Sequence, residues 1–285
     1  MSSTIAFALG AMLFFGLGDL VYKRAAMAGV KAHHFLMVQS WGFTAAVLLY
    51  AALSGTLRFV AASLWGALAG LFMFTGFYNF ARSLHGGSIS INAPVFRLSF
   101  VLTAALAIAL LGEPLTAWKA LGIALALSAA WLLLGGKVDP RRESASSLAR
   151  VIVATVAVGL GNFVYTLGLR AGATPASIII AQAAVVVTLS TLFVRFADGH
   201  VRAAGAVLVH APRASLVLAA AFVLMVEAMR RGEASVAVPI AQMGFVVTAL
   251  LGFAFLGERF TARKGAGIAC ALGALASLAW GQVLH

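Results

Sequence analysis

A chain of 285 residues that is 62% hydrophobic and 10% charged, with a mean hydropathy of +1.03, has too little polar surface to cover a soluble globule, so a bilayer is the implied solvent. The net charge of +12 would suit nucleic acid if it were clustered, but the basic residues fall in short breaks between apolar runs, where they read as membrane topology. Cys270 is the only cysteine, which excludes an internal disulfide and argues against a thiolate metal site.

Ten apolar runs follow one another, each near the roughly 20 residues a membrane helix needs. They are rich in Leu, Ala and Met and lack the apolar/polar alternation of a membrane strand, so the predicted class is all-α. The first, 4–22, has no basic segment before it and is long enough to span, so it reads as a helix and not a cleaved signal; it carries Asp19 and Tyr22. The second, 33–53, opens on His33 and His34 and holds Gln39, Trp41 and Tyr50. Adjacent helical positions point about 100° apart, so the two histidines read as a poor metal pair, and no metal is expected.

The third run, 62–81, includes the close-packing pattern Gly66 to Gly70 and ends in a polar cluster, Tyr78, Asn79 and Arg82. The fourth, 89–111, contains Pro94 and Arg97, and a hairpin beginning Gly112-Glu113-Pro114 leads to the fifth, 117–134. Segment 135–147 is polar, has no repeat counterpart and reads as a linker. Beyond it lie 148–168 with Tyr165, 175–194 with Gln182, 213–230 with Glu227, 235–256 with Pro239 and Gln242, and 264–283.

The chain says nearly the same thing twice. Gly112-Glu113-Pro114-Leu115-Thr116 recurs 145 residues later as Gly257-Glu258-Arg259-Phe260-Thr261, and Pro94 and Arg97 recur as Pro239 and Gln242. At a nearly equal offset Asp19 matches Asn162, Tyr22 matches Tyr165, and Gln39 matches Gln182. Two repeats of five spans result, 1–134 and 148–285. Because five is odd the second must enter from the opposite side, giving inverted repeats around a central cavity. Fourteen basic residues fall on the face reached after odd-numbered helices and five on the other, so both termini are predicted to face outward.

Hairpin glycines Gly112 and Gly257 suit helix ends, Thr116 and Thr261 suit caps, and Glu113 and Glu258 are expected at the first amides of the helix that follows. For transport chemistry, Arg97 stands out. If the fourth helix starts near Ile89, Arg97 lies about 12 Å inside and can fork onto a substrate carboxylate; if it starts at Pro94, Arg97 lies near the headgroups. Gln242, Gln39, Gln182, Tyr78, Asn79, Trp41, Tyr22 and Tyr165 are the other candidate substrate contacts, in a wide aromatic-lined pocket, with interhelical hydrogen bonds as the competing reading. Asp19 and Glu227 are candidate proton-coupling carboxylates. Each also has a plain ion-pair reading, Asp19 with Lys23 and Glu227 with Arg230 and Arg231. Pro94 and Pro239 are candidate hinges, with weak points expected at Ser90 and Ser235. No zinc spacing, phosphate loop, nucleophile motif or paired-carboxylate constellation supports an enzyme.

Gly16 through Lys23, Ala228 through Ser235 and both Gly-Glu-x-x-Thr hairpins resemble the drug/metabolite transporter superfamily, and within it the ten-helix proteins of two EamA-type repeats. The likeness covers nearly the whole chain and extends, less specifically, to YddG-type amino-acid exporters. It implies a secondary transporter of a bacterial inner (plasma) membrane that exports small organic metabolites, foremost aromatic or bulky neutral amino acids. No cofactor is implied; the partners are the small-molecule substrate and membrane lipids, without nucleic acid, and a monomer is the simplest assembly. Broad drug or metabolite efflux and a non-transporting scaffold or sensor subunit are the alternatives. Phe15, where many relatives have Trp, and Arg97, in a helix usually apolar there, depart from the pattern.

Overall fold

The computed structural model describes residues 3–86, 92, 95–134, 145–203, 205–255 and 261–283, and every regular element among them is helical. In order these are α1 (Ser3–Met27), α2 (Ala32–Ser54), a short 3-10 turn (Ala61–Ser63) running into α3 (Leu64–Gly86), α4 (Ser99–Leu111), α5 (Ala117–Leu134), α6 (Ala145–Arg170), α7 (Pro175–Asp198), α8 (Ala206–Arg231), α9 (Ala234–Gln242), α10 (Gly244–Phe255) and α11 (Ala262–Val283). Among the described residues eight spans are long and apolar enough to cross a membrane, and two shorter apolar helices, Val95–Leu111 and Ala117–Leu133, fill the fourth and fifth predicted places.

Helix ends follow local chemistry. Gly112 closes α4 at φ 68°, where only glycine is unstrained, and Thr116 accepts from the Lys119 amide at 3.2 Å as the expected cap of α5. Thr261 does the same for Lys264 at 3.3 Å; Gly257 and Glu258 lie outside the described residues. Several boundaries differ from expectation; α1 runs on to Met27, α3 to Gly86 and α7 to Asp198. Helix α6 starts at Ala145, inside the segment read as linker, because buried Ser147 donates to the Ser83 carbonyl at 2.8 Å. Helix α8 starts at Ala206 and runs through Pro212. The ninth span is broken between α9 and α10.

The repeats interleave and do not stand as two separate bundles. Helix α1 packs most extensively on α8, and α3 on α6; α3 also packs on α7 and α2 on α8, while α1 meets α9 and α10 and α4 meets α6. Exchanging each helix for its repeat mate turns every one of these pairings into another of them, as a two-fold relation requires. Mates also pair directly, α2 with α7, α4 with α9, and α5 with α11. Those mates run antiparallel: His33 meets Asp198 while Ser40 meets Ser190, and Gly122 lies against Leu278 while Gly267 lies against Leu133. Equivalent helices of opposite direction are what inversion means, and they put Lys119 and Lys264 at opposite ends of the molecule.

Close backbone approach makes this interleaving possible. A Cβ on Gly66 would overlap the Ile178 carbonyl, and one on Gly70 would sit 2.9 Å from the Gln182 carbonyl, so the Gly66 to Gly70 pattern is the seat of α7 on α3. In a bilayer such contact stabilises through dispersion, since lipid tails remove most of the hydrophobic drive between helices.

Candidate functional site

The break in the ninth span lies where the two repeats meet. Helix α9 continues through Pro239, and the irregularity comes four residues later at Met243, whose amide turns to the Ile240 carbonyl at 3.1 Å. Ser235, the expected weak point, stays helical. At the equivalent place the Leu98 amide turns to the Val95 carbonyl at 3.0 Å; Pro94 and Ser90 lie outside the described residues. The last residues before the two breaks are Arg97 and Gln242, and they touch, with Arg97 Nη1 donating to Gln242 Oε1 at 3.1 Å. A residue that contacts its own mate must lie at the pseudo-two-fold axis. Arg97 is therefore central: it is 8% exposed, and its partner Gln242 is 6% exposed and lies about 12 Å along α9.

Arg97 also forms an ion pair with Asp19 through Nη2, so Asp19 is engaged across helices; the side chain of Lys23, its expected neighbour, lies outside the described residues. Thr248 donates to Asp19 Oδ2 at 3.3 Å and to the Gly16 carbonyl at 3.1 Å. Its mate Thr103 donates to the Gly159 carbonyl at 3.0 Å, so the scaffold around the site is two-fold. The charge is not. The first repeat supplies Asp19 and Arg97, and the second supplies their neutral analogues Asn162 and Gln242. Asn162 is fully buried, and neither amide atom meets a protein hydrogen-bond partner among the described residues.

A second symmetric pair flanks the axis. Tyr22 donates its hydroxyl to Gln39 Oε1, and Tyr165 donates to Gln182 Oε1, each tyrosine 17 residues before its glutamine. Both amides line a hollow between the repeats together with Ser40, Phe43, Phe77 and Phe222. Its volume is about 20 Å³, room for about one water, so the wide pocket expected from the sequence is closed in this conformation. Its aromatic lining also differs from expectation. Phe222 packs edge-on against Phe15, Phe43, Phe77 and Tyr165, with ring centroids 5.6 to 6.5 Å away, a centre that its sequence as one of 20 phenylalanines did not mark.

Other expected contacts lie elsewhere. Trp41 is 40% exposed and donates to Thr191 at 2.9 Å, so it faces outward and does not line the hollow. Tyr78 stacks on Phe74 and tilts onto Phe193, and Asn79 donates to its own helix at the Thr75 carbonyl, 2.9 Å away, with Arg150 at its Oδ1. Glu227 is held by Arg230 and Arg231 and accepts from Tyr50 at 3.3 Å, the local ion-pair reading. Arg231 in turn lies over the Phe7 ring at 4.1 Å.

The hairpin carboxylate Glu113 does not cap its own helix. It crosses to the second repeat, where its two oxygens accept from the Ala234 amide at 3.0 Å and the Ser235 amide at 2.8 Å, the free amides that open α9. Arg170 joins it at 3.2 Å. Beside it Lys119, buried, donates to Glu233 at 2.5 Å and to the Pro114 carbonyl at 2.6 Å, on the wall of a cavity of about 370 Å³ also lined by Thr4, Thr116 and Arg231. Sequence spacing could not show the ties of Glu113 to α9 and of Lys119 to Glu233, because those partners are more than 100 residues away.

The described helices thus form an inverted scaffold with a buried polar contact at its pseudo-two-fold axis, and comparison with known proteins gives its class. The sequence matches the EamA-like transporter family over residues 2–135 and again over 147–280, so the chain belongs to that family, a branch of the drug/metabolite transporter superfamily. It is an integral membrane protein of a kind that transports small molecules. A solved structure described only as "Crystal structure of protein" is similar over 98% of this chain and 98% of its own, at 17% identity and a TM-score of 0.79, a likeness that speaks to the fold alone. No curated protein matches the sequence.

Proposed function

We propose that this chain is a secondary transporter that exports small organic metabolites, foremost aromatic or bulky neutral amino acids, by alternating access. The observation that carries the reading is Arg97, a buried guanidinium at the pseudo-axis whose two nitrogens are taken by a carboxylate and an amide of the protein itself. A buried ion pair is worth little net stability, because desolvation offsets its attraction, so a substrate carboxylate can exchange for Asp19 at modest cost. Phe43, Phe77 and Phe222 supply an apolar surface for the substrate side chain once the hollow opens, and Gln39 and Gln182 offer amides to its ammonium. Protonation of Asp19 would release Arg97 in the same way and couple the cycle to a proton gradient.

On this reading the first repeat is 1–134 and the second begins with α6 at Ala145, both termini face outward across a bacterial inner membrane, and one monomer is sufficient. The phenyl lining also favours a broader drug or metabolite efflux activity, which would not need Arg97. Purified protein in liposomes, tested by competition with a panel of amino acids and apolar amines, separates the two. Carboxylate-dependent flux lost in Arg97→Ala supports amino-acid export; amine flux indifferent to Arg97→Ala supports the broader activity; no flux of any compound leaves a scaffold role.

A further inference from the structure

At the end of the molecule opposite Glu113, three side chains from two repeats meet at one point. His33 and His34 open α2, and Asp198 closes α7. His33 Nε2 lies 2.9 Å from Asp198 Oδ2, and His34 Nε2 lies 2.7 Å from the same oxygen. The backbone argument against a histidine pair fails here because imidazole is long. Starting from diverging Cα–Cβ bonds in the first turn, the two rings lean together edge to face, centroids 4.6 Å apart, and bring both Nε2 atoms to the carboxylate. His33 is backed by Phe193 at 6.2 Å. All three side chains are about one-fifth exposed, so the point is shaped yet reachable from water.

We infer that His33, His34 and Asp198 form a binding site for a divalent ion of the zinc class that clamps α2 of the first repeat to α7 of the second. The donor set is the warrant. Two neutral imidazole nitrogens and one carboxylate oxygen are the ligands such ions prefer, and three protein ligands leave a fourth place for water. Bond lengths of about 2.0 to 2.2 Å set ligand atoms roughly 3.3 Å apart in a tetrahedron, so each imidazole–carboxylate spacing needs to widen by about half an ångström, within reach of side-chain rotation. On binding, the proton that each Nε2 now presents to Asp198 moves to Nδ1 of its own ring, or to solvent if that ring carries two, and the freed lone pair takes the metal.

The surroundings leave this donor set open. Arg195, the nearest cation along α7, turns away to the Gly199 carbonyl, and the His200 ring contacts the backbone carbonyl of Asp198 at 2.7 Å, leaving Oδ2 to the other two histidines. Because α2 and α7 are antiparallel mates that pack directly, an ion here ties the repeats at this end as Glu113 and Lys119 tie them at the other.

The test uses full-length protein, purified without a histidine tag and stripped of metal, and does not depend on transport. Titration with Co²⁺ is expected to give the visible absorption of a tetrahedral site, displaced by one equivalent of Zn²⁺, and Zn²⁺ is expected to raise the unfolding temperature. His34→Ala and Asp198→Ala should each weaken binding roughly tenfold or more. If these variants fold poorly, His33→Gln/His34→Gln keeps an amide donor to Asp198 but ligates weakly; it should fold and lose both the spectrum and the thermal shift. Zn²⁺ affinity and thermal shift equal in wild type and the double Gln variant would overturn the site and leave the cluster a hydrogen-bonded clasp.

Discussion

Arg97 and Gln242 occupy the same position in two inverted repeats, and the guanidinium of one donates to the amide of the other at 3.1 Å. The contact joins mates across the axis while breaking the symmetry in charge. That asymmetry makes a double-mutant cycle informative. Arg97→Gln leaves Asp19 without its cation, and Asp19→Asn leaves Arg97 without its anion; with the Asp19 side chain 35% exposed, each is expected to cost about 2 kcal/mol, below the range for a fully buried pair. The double variant Asp19→Asn/Arg97→Gln copies the neutral chemistry of Asn162 and Gln242 and should regain most of that stability while carboxylate-dependent flux stays lost. Thermal unfolding and liposome flux on the same preparations check both halves. A double variant as unstable as the sum of the singles would mean that the ion pair contributes no coupling.

Glu113 predicts a different behaviour, because its partners are backbone amides that cannot relocate. Glu113→Gln keeps the shape but replaces a charged acceptor at the start of α9 with a neutral amide, one end of which is a donor facing N–H groups. The expected loss is about 1 to 3 kcal/mol. Arg170→Ala, which removes only a half-exposed cation from the same carboxylate, should cost less than about 1 kcal/mol. Equal losses from the two variants, measured by unfolding in detergent, would show that the ion pair and not the helix cap is what Glu113 provides.

These two sites show where a sequence is readable and where it is not. Span positions follow from hydrophobic length, a local quantity, and each of the ten predicted runs holds a helix among its described residues. Mates such as Tyr22 with Tyr165 and Gln39 with Gln182 follow from the repeat offset, and both pairs form the same bond. Partnership across helices is another matter. Arg97 is 78 residues from Asp19 and still its partner, because helix packing decides which charges share a buried space. Spacing alone makes Glu113 a local cap and Trp41 a lining residue, because it does not say which helices meet or which side of α2 faces lipid. The convergence of His33 and His34 depends on side-chain reach, which backbone periodicity ignores.

Packing makes a sharper prediction at Gly66. An added methyl there meets the Ile178 backbone, which is fixed in α7 and cannot yield as a side-chain tip does. Gly66→Ala is expected to destabilise by about 1 to 3 kcal/mol, the range for overpacking. Gly10 is the matched control. Its new Cβ would lie 3.1 Å from a terminal methyl of Leu224, which can rotate away, so Gly10→Ala should change stability by less than about 0.5 kcal/mol. If both substitutions are tolerated equally, as judged by unfolding and by size-exclusion profile, α3 and α7 are not held at the distance described.

Asn162 carries the last prediction, since it is the one member of the Asp19, Arg97, Gln242 and Asn162 set whose side chain has no hydrogen-bonded protein partner among the described residues. A fully buried amide without a partner costs roughly 1 to 3 kcal/mol relative to an apolar group of its shape. Asn162→Leu is therefore expected to raise the stability of this conformation by an amount in that range. Its mate Asp19 is engaged by Arg97 and Thr248, and if the proposed alternating-access cycle exchanges the roles of the repeats, Asn162 would take the position that Asp19 holds here. Leucine cannot accept a hydrogen bond there. The same substitution should then slow turnover several-fold while the protein becomes harder to unfold, and the two readings must move in opposite directions: a variant that is more stable and transports at the wild-type rate would mean that Asn162 has no partner in either conformation.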